Sequence, residues 1–557
     1  MSDFINYSAL LVIPAIMVWL ARVVVRTIRA LHILQLEGYK SGRFLGWLGN
    51  HPKRLIDVRE TVVIGCLIFL TLILIPFGIK TSFLPVFVLS WIAVEAYFTV
   101  KENRFKAKKP LVYTARAKRV FGLAIILLAA AVISFLWLSG GLFLWRLSAP
   151  QLYPQFTALL IFTFFLNQLA AINLTAANLL IYPLERTINH SYLRSARKKM
   201  KNLQPKVIGI TGSYGKTSTK YILNSMLSQK FNVLMTPDSY NTPMGICKVI
   251  RGQLEADHEV FIVEMGAYKR GDIAELCRLV HPEIGILTAV GAQHLERFKN
   301  IENIAHTKYE LIESLPEDGT AVFNDDNEIC SELADKTTTK VARYAVDRLD
   351  EKVGLTAREI ENTRSGLSFI IEKPSGETCK VETKLLGRNN VYNILAAATV
   401  ALECGLTLDE VSRAISTLEP IPHRLQLIEG AGGVTVIDDG FNANPVGAKA
   451  ALEVLEGFSD GRKILVTPGM VELGNMEFDE NRAFGIEAAN VCDFVILVGP
   501  TQTKPILEGL ETAGYPKEKV LQVESLPRAS ESLRKILKSG DVVLFENDLP
   551  DSYSEGV

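Results

Sequence analysis

Thr211-Gly-Ser-Tyr-Gly-Lys-Thr-Ser218 gathers in one short segment the groups needed to hold a triphosphate. Gly212 and Gly215 let backbone N–H groups approach phosphate oxygens, Lys216 supplies a point charge, and Thr217 can place a hydroxyl on Mg²⁺. Ser213, Tyr214 and Ser218 complete the loop. The near spacing is Gly-x-x-Gly-Lys-Thr, where the commoner loop has four residues between its glycines. Downstream come Glu264 in Glu264-Met-Gly-Ala267, His294 in Ala292-Gln-His294, and Lys308, fourteen residues beyond His294. A carboxylate ending a strand suits Mg²⁺ directly or through water, and Glu264 reads equally as a structural group. By type alone His294 is an ordinary loop residue and Lys308 a solvated helix face.

These residues need a frame to bring them together. Beyond residue 205, short β-branched runs alternate with helical stretches, as in a mainly parallel sheet covered by helices. Strands are expected at 207–210, 259–264, 284–288, 320–323, 434–437, 463–467, 494–498 and 541–545, with the candidate residues at their C-terminal ends. The break at Glu419-Pro-Ile-Pro422 separates a nucleotide-binding domain, 201–419, from a smaller Rossmann-like α/β domain, 420–557.

The first 200 residues form an α-helical transmembrane domain on this reading. The balance of 60 basic and 60 acidic residues over 557 hides the difference between the two parts. Five runs, about 8–28, 61–79, 82–100, 119–139 and 156–182, are long and apolar enough to cross a bilayer. The first lacks the basic leader and cleavage site of a signal peptide and ends in Arg22, Arg26 and Arg29. Basic residues concentrate at 40–59, 101–119 and 186–206, which puts the N-terminus outside and the rest in the cytoplasm of a multi-pass cell-membrane protein. Those segments suit a lipid bilayer as partner rather than nucleic acid. Glu95, Asn167, Gln168, Asn173 and Asn178 are polar groups at membrane depth, read first as glue between helices. Seven scattered cysteines without a CxxC argue against a disulfide framework or zinc site.

The loop at 211–218, Glu264-Met-Gly-Ala267 and the His294 to Lys308 spacing together resemble the Mur ligase family, the ATP-dependent amide ligases of peptidoglycan precursor assembly. Leu386-Gly-Arg-Asn-Asn-Val-Tyr-Asn393, Pro422-His-Arg424-Leu-Gln426, Ile437-Asp-Asp439-Gly-Phe-Asn442-Ala-Asn-Pro445 and Val466-Thr-Pro-Gly-Met470-Val-Glu-Leu-Gly474 resemble further family motifs in the family's order. The resemblance covers about residues 205–548 and is nearest to the members that add D-alanyl-D-alanine to a muramyl tripeptide.

It implies transfer of ATP's γ-phosphoryl to a carboxylate, then displacement of phosphate by an amine. Thr217 and Glu264 would hold one Mg²⁺, and His294 a second. Lys308 matches a lysine that the family carbamylates. Asn390 and Asn393 would contact the adenine, Arg424 the γ-phosphate and Asp439 the ribose. Lys216, His294, Lys308 and Arg424 are thus the catalytic candidates, completed when the two α/β domains close. The chain departs from the family at Gly440, at Pro468-Gly469 and at Phe545-Glu-Asn-Asp548, which stands where a Lys-Gly-Ser segment is usual. Membrane runs also replace the UDP-binding domain. The expected reaction joins an amino acid or dipeptide to a carboxylate of an envelope precursor, a lipid-linked one included. A poly-amino-acid synthetase with the same core and, further off, a nucleotide-driven transporter or regulator are the alternatives.

Overall fold

The computed structural model describes residues 2–51, 58–74, 84–103, 110–138, 149–238, 240–293, 295–348, 350–363, 366–441 and 444–549. The chain divides into two compact units, one ending at Ile188 and one running from Asn189 to Leu549.

The first unit is helical: Ser2–Leu36, Ser41–Asn50, Val58–Leu74, Leu84–Asn103, Ala115–Leu138, Ala149–Gln168 and Ala170–Leu203, the last continuing into the second unit. Among the described residues, Ala115–Leu138 alone qualifies by itself as a membrane span, with a mean hydropathy of 2.7. The expected continuous span at 156–182 is instead broken: Ile161–Gln168 and Ala170–Leu203 meet at 62° and pass the same test only as a pair. Hydropathy reads straight through this point, but the polar pair Asn167-Gln168 turns inward, and Asn167 donates to both oxygens of Glu95 at 3.2 Å.

Polar groups in this unit are more numerous than the apolar runs suggest. Arg22, Arg26 and Arg29 lie within the first helix and engage carboxylates of two others. Arg22 pairs with Glu60 at 2.5 Å and with Glu102, Arg26 with Glu60 at 3.1 Å, and Arg29 with Glu102 at 3.2 Å. Glu60 and Glu95 are wholly buried and Arg22 is 1% exposed. Outward, by contrast, stand Phe69, Ile126, Ile133, Trp137 and Leu180, each more than half exposed. A cluster of charges is therefore buried beside the apolar core while large apolar side chains stand outside, unlike a water-soluble bundle.

The second unit holds two sheets. Strands β1 (Lys206–Thr211), β2 (Val233–Met235), β3 (Val260–Glu264), β4 (Ile284–Leu287), β5 (Thr320–Asn324), β6 (Lys340–Val346), β7 (Leu355–Thr363), β8 (Gly366–Glu372) and β9 (Thr378–Thr383) form the first. Their order is β2-β3-β1-β4-β5-β6-β7-β8-β9, parallel through β7 and antiparallel beyond it. The strands β1, β3, β4 and β5 are buried almost throughout, matching their continuous apolar runs. The second sheet, β10 (Gln426–Glu429), β11 (Thr435–Asp439), β12 (Lys463–Thr467), β13 (Phe494–Val498), β14 (Val520–Val523) and β15 (Val542–Glu546), has the order β10-β11-β15-β12-β13-β14. Only the β10–β11 pair in it is antiparallel. Every strand expected from sequence is present. The meander β7–β9 and the strands β2, β6, β10 and β14 are additions.

Candidate functional site

β1 ends at Thr211 and the helix Lys216–Leu227 begins at Lys216, so Gly212 to Gly215 form the turn between them. Two glycines are required here. Gly212 has φ 153° and a Cβ there would stand 1.9 Å from Thr288 Oγ1; Gly215 has φ 80° and a Cβ would stand 2.3 Å from Asn393 Oδ1. Ser213 is fixed by exchange with Gly291, its hydroxyl donating to the carbonyl at 2.9 Å and accepting from the amide at 3.0 Å. The loop is thereby pinned against the segment after β4, leaving its helix-side amides facing a cleft of about 270 Å³.

That cleft is lined by Ser213, Tyr214, Gly215, Lys216, Thr217 and Ser218 from the loop, by Asn390 and Asn393 from the helix Asn389–Glu403, and by Arg424 and Asp439 from the second sheet's side. Residues far apart in sequence thus converge on one pocket between the two α/β halves. Gly212 lies just behind it, at the carbonyl where the lysines meet. Lys216 Nζ donates to Gly212 O at 2.7 Å and Lys308 Nζ to the same oxygen at 2.8 Å. Burial pushes Lys216 down to about 8, with Glu264 opposing and Arg424 adding to the shift. Burial, then the neighbouring Lys216, holds Lys308 well below the usual lysine range. Lys308 is buried and is not the solvated face its composition suggests.

Glu264, at the end of β3, accepts from Thr217 Oγ1 at 3.1 Å, Lys220 Nζ at 3.0 Å and Asn241 Nδ2 at 3.1 Å. Burial alone would raise its pKa, but Lys220 and Lys216 outweigh it and keep the carboxyl below its ordinary value. Lys220 was not singled out from sequence. Its signal was the four-residue spacing from Lys216, which puts both on one helix face. Thr217 and Glu264 already touch, so a hydroxyl and an ionised carboxylate suited to Mg²⁺ stand side by side, within the same buried neighbourhood as Lys308. His294 and Asn442 lie outside the described residues.

Asn390 and Asn393 are turned inward: Asn390 Nδ2 donates to Leu386 O at 2.8 Å, and Asn393 Nδ2 to Asn390 Oδ1 at 3.0 Å. Asn393 also accepts from Thr219 at 3.3 Å, tying its helix to the phosphate helix. Asp326 and Asn327 line the same cleft and had no motif to reveal them; Tyr392 lines it too, from within the motif that ends at Asn393.

Arg424 sits between two residues in left-handed conformation, His423 at φ 59° and Leu425 at φ 47°, an unfavourable backbone for non-glycine residues. Leu425 N donates to Asp439 Oδ1 at 3.0 Å, which fixes the turn. Burial lowers the Arg424 pKa, while Asp439, Glu264 and Glu546 oppose that, so the guanidinium lies between acids of both halves. The halves also meet at Arg297, which pairs with Glu472 and lies 4.5 Å over the Tyr268 ring.

Two family models match: the Mur ligase middle domain at residues 210–401 and the Mur ligase glutamate ligase domain at 423–546. UDP-N-acetylmuramoyl-tripeptide–D-alanyl-D-alanine ligase of Mycobacterium leprae is 31% identical over 365 residues, 61% of this chain and 70% of that protein. The crystal structure of MurF from Acinetobacter baumannii aligns with a TM-score of 0.58 and 25% identity, over 66% of this chain and 79% of that one. MurF ligase of Thermotoga maritima in complex with ADP aligns with a TM-score of 0.57 and 27% identity, over 65% and 80% respectively. With its phosphate loop, strand-end carboxylate and cross-lobe arginine so arranged, the chain belongs to the Mur ligase family and is an ATP-dependent, ADP-forming amide ligase.

Proposed function

We propose that this ligase joins a dipeptide of the D-alanyl-D-alanine kind, or an amino acid, to a carboxylate of a muramyl-type envelope precursor while anchored in the cell membrane. The observation that carries the reading is the convergence of Lys216, Thr217, Glu264, Lys308, Arg424 and Asp439 around one cleft. The relatives' own substrates, named above, support the choice of acceptor and amine.

In this reading the loop amides, Lys216 and Arg424 spread over ATP's β- and γ-phosphates, Asp439 accepts from the ribose, and Asn390 and Asn393 border the base. Thr217, Glu264, His294 and a carbamylated Lys308 are suited to two Mg²⁺, which would offset the repulsion between triphosphate and acceptor carboxylate. Burial that holds a lysine well below its usual range favours the uncharged amine, the form that adds to CO₂. The amine adds to the carbon, a proton leaves, and the product is an anionic carbamate. Growth in ¹³C-bicarbonate should give a carbamate carbonyl resonance that Lys308→Ala lacks. Its absence from active wild type would exclude the modification.

The domain division is 1–200, 201–419 and 420–557. The inside-out polarity of the first unit supports bilayer embedding, because buried ion pairs and outward apolar side chains are stable together only when the surroundings are apolar. Both family models begin beyond that unit. Five crossings, with the bent helix pair as the last, would put the N-terminus outside and the ligase in the cytoplasm. A lipid-linked acceptor would then be presented by the helical unit. ADP release by the full chain in nanodiscs, with dipeptides crossed against soluble and lipid-linked muramyl carboxylates, tests this. Preference for the lipid-linked acceptor supports presentation. Full activity on a water-soluble UDP-muramyl peptide without the helical unit would refute it. A ladder of products would instead indicate a poly-amino-acid synthetase.

A further inference from the structure

Asp439 and Glu546 end neighbouring parallel strands at paired positions, β11 and β15, so their side chains emerge on the same face of the sheet. Each is 1% exposed. Their hydrogen bonding differs. Asp439 Oδ1 receives the Leu425 amide, whereas neither buried oxygen of Glu546 receives an N–H or O–H from another described residue. Such an orphaned carboxylate is costly when ionised. The charged groups bearing on it are Asp439 and, opposing, Arg424. From the elements packed around β15, Lys449 and Glu453 on the helix Pro445–Glu456 are exposed to solvent, and Asp438 is engaged by His423 Nδ1 at 2.7 Å. Asn547, the next residue, donates from Nδ2 to Gly469 O at 2.6 Å and is neutral.

We propose that Glu546 is a positioning residue of the nucleotide site: it carries a proton, donates it as a hydrogen bond to Asp439 from behind the cleft, and so fixes the Asp439 carboxylate that, with Arg424, lines the cleft. One proton resolves three problems together. It gives a Glu546 oxygen a partner, leaves the two acids with a single negative charge, and matches that charge to one guanidinium. Burial, then the adjacent Asp439, pushes the Glu546 carboxyl well above its ordinary range, in the direction the geometry requires. With both acids ionised, Arg424 would be drawn onto them. Its Nε, buried without a partner, would turn from the phosphate side. Asp439, which lines the cleft, touches the nucleotide; Glu546 acts only through it.

The inference rests on the ligase reading, so its test is nucleotide binding alone, by displacement of a fluorescent ATP analogue from the full chain in detergent. Glu546→Gln, whose amide can donate as the protonated acid does, should keep the ATP Kd within about threefold, while Glu546→Leu should weaken it about tenfold. Loss of affinity in Glu546→Gln equal to that in Glu546→Leu, or no loss in either, would overturn the proposal. Should Glu546→Leu not fold, the pH dependence decides. Only the wild type can ionise at this position, so the ratio of wild-type to Glu546→Gln Kd should climb as pH rises above the ordinary carboxylate range, Lys216 titrating alike in both. A constant ratio would overturn it. Absence of ATP binding by the wild type would overturn the ligase reading as well.

Discussion

Two lysines donate to one carbonyl, that of Gly212, and Lys216 discourages the charge on Lys308. For Lys216 the consequence is kinetic. The free enzyme holds its ammonium below about pH 8 and loses it as pH rises through that value, because burial has lowered the pKa. The kcat/KM for ATP should therefore fall by about tenfold per pH unit on the alkaline side, while kcat, reporting the nucleotide-bound enzyme, falls at higher pH. A flat profile to the ordinary lysine range would contradict the burial. Lys220 has a different task, holding Glu264 ionised and in place. Lys220→Met should move the acid limb of kcat to higher pH by roughly one unit, since a carboxylate without its cation protonates sooner. An unmoved limb would assign Lys220 to folding alone. Chemistry at this scale was readable where it came as a motif. Lys216, Glu264 and Arg424 were found that way. Lys220 and Glu546 were not, because a lysine on a helix and a glutamate at a strand end have no pattern until their neighbours are known.

The turn between β1 and its helix joins local geometry to function, since Gly215 is backed by Asn393 from a helix far away in sequence. Gly215→Ala must find room for a methyl carbon 2.3 Å from the Asn393 oxygen while holding φ 80°. It should raise the ATP KM by about tenfold or more, with a smaller loss in thermal stability. Normal ATP binding would show that the loop can re-form. Elements with continuous apolar runs, such as β1, β3, β4 and β5, were legible because burial on both faces leaves few other readings. The meander β7–β9 was not. Arg358, Glu359, Glu361 and Lys380 interrupt it on faces left to solvent, so its composition resembles a loop. The bend after Gln168 was missed because hydropathy averages over polar side chains that turn inward.

The whole chain joins an ATP-dependent ligase to a helical unit that buries a cluster of charges. Glu60 accepts from both Arg22 and Arg26, so Glu60→Ala removes an acid that two buried cations share. It should cost about 3–5 kcal/mol in detergent-solubilised protein, seen as lower thermal stability, whereas Phe69→Ala on the outward face should change little. Equal effects would mean that the polarity assigned to this unit is wrong. The most direct measurement of the central claim follows oxygen through the reaction. With muramyl tripeptide labelled with ¹⁸O in its acceptor carboxylate, D-alanyl-D-alanine and ATP, activation by phosphoryl transfer must carry carboxylate oxygen into the phosphate that the amine expels. One ¹⁸O atom in each released phosphate, with one amide formed per ADP, is the predicted result. Phosphate free of ¹⁸O, or ADP release indifferent to the added amine, would contradict acyl-phosphate ligation.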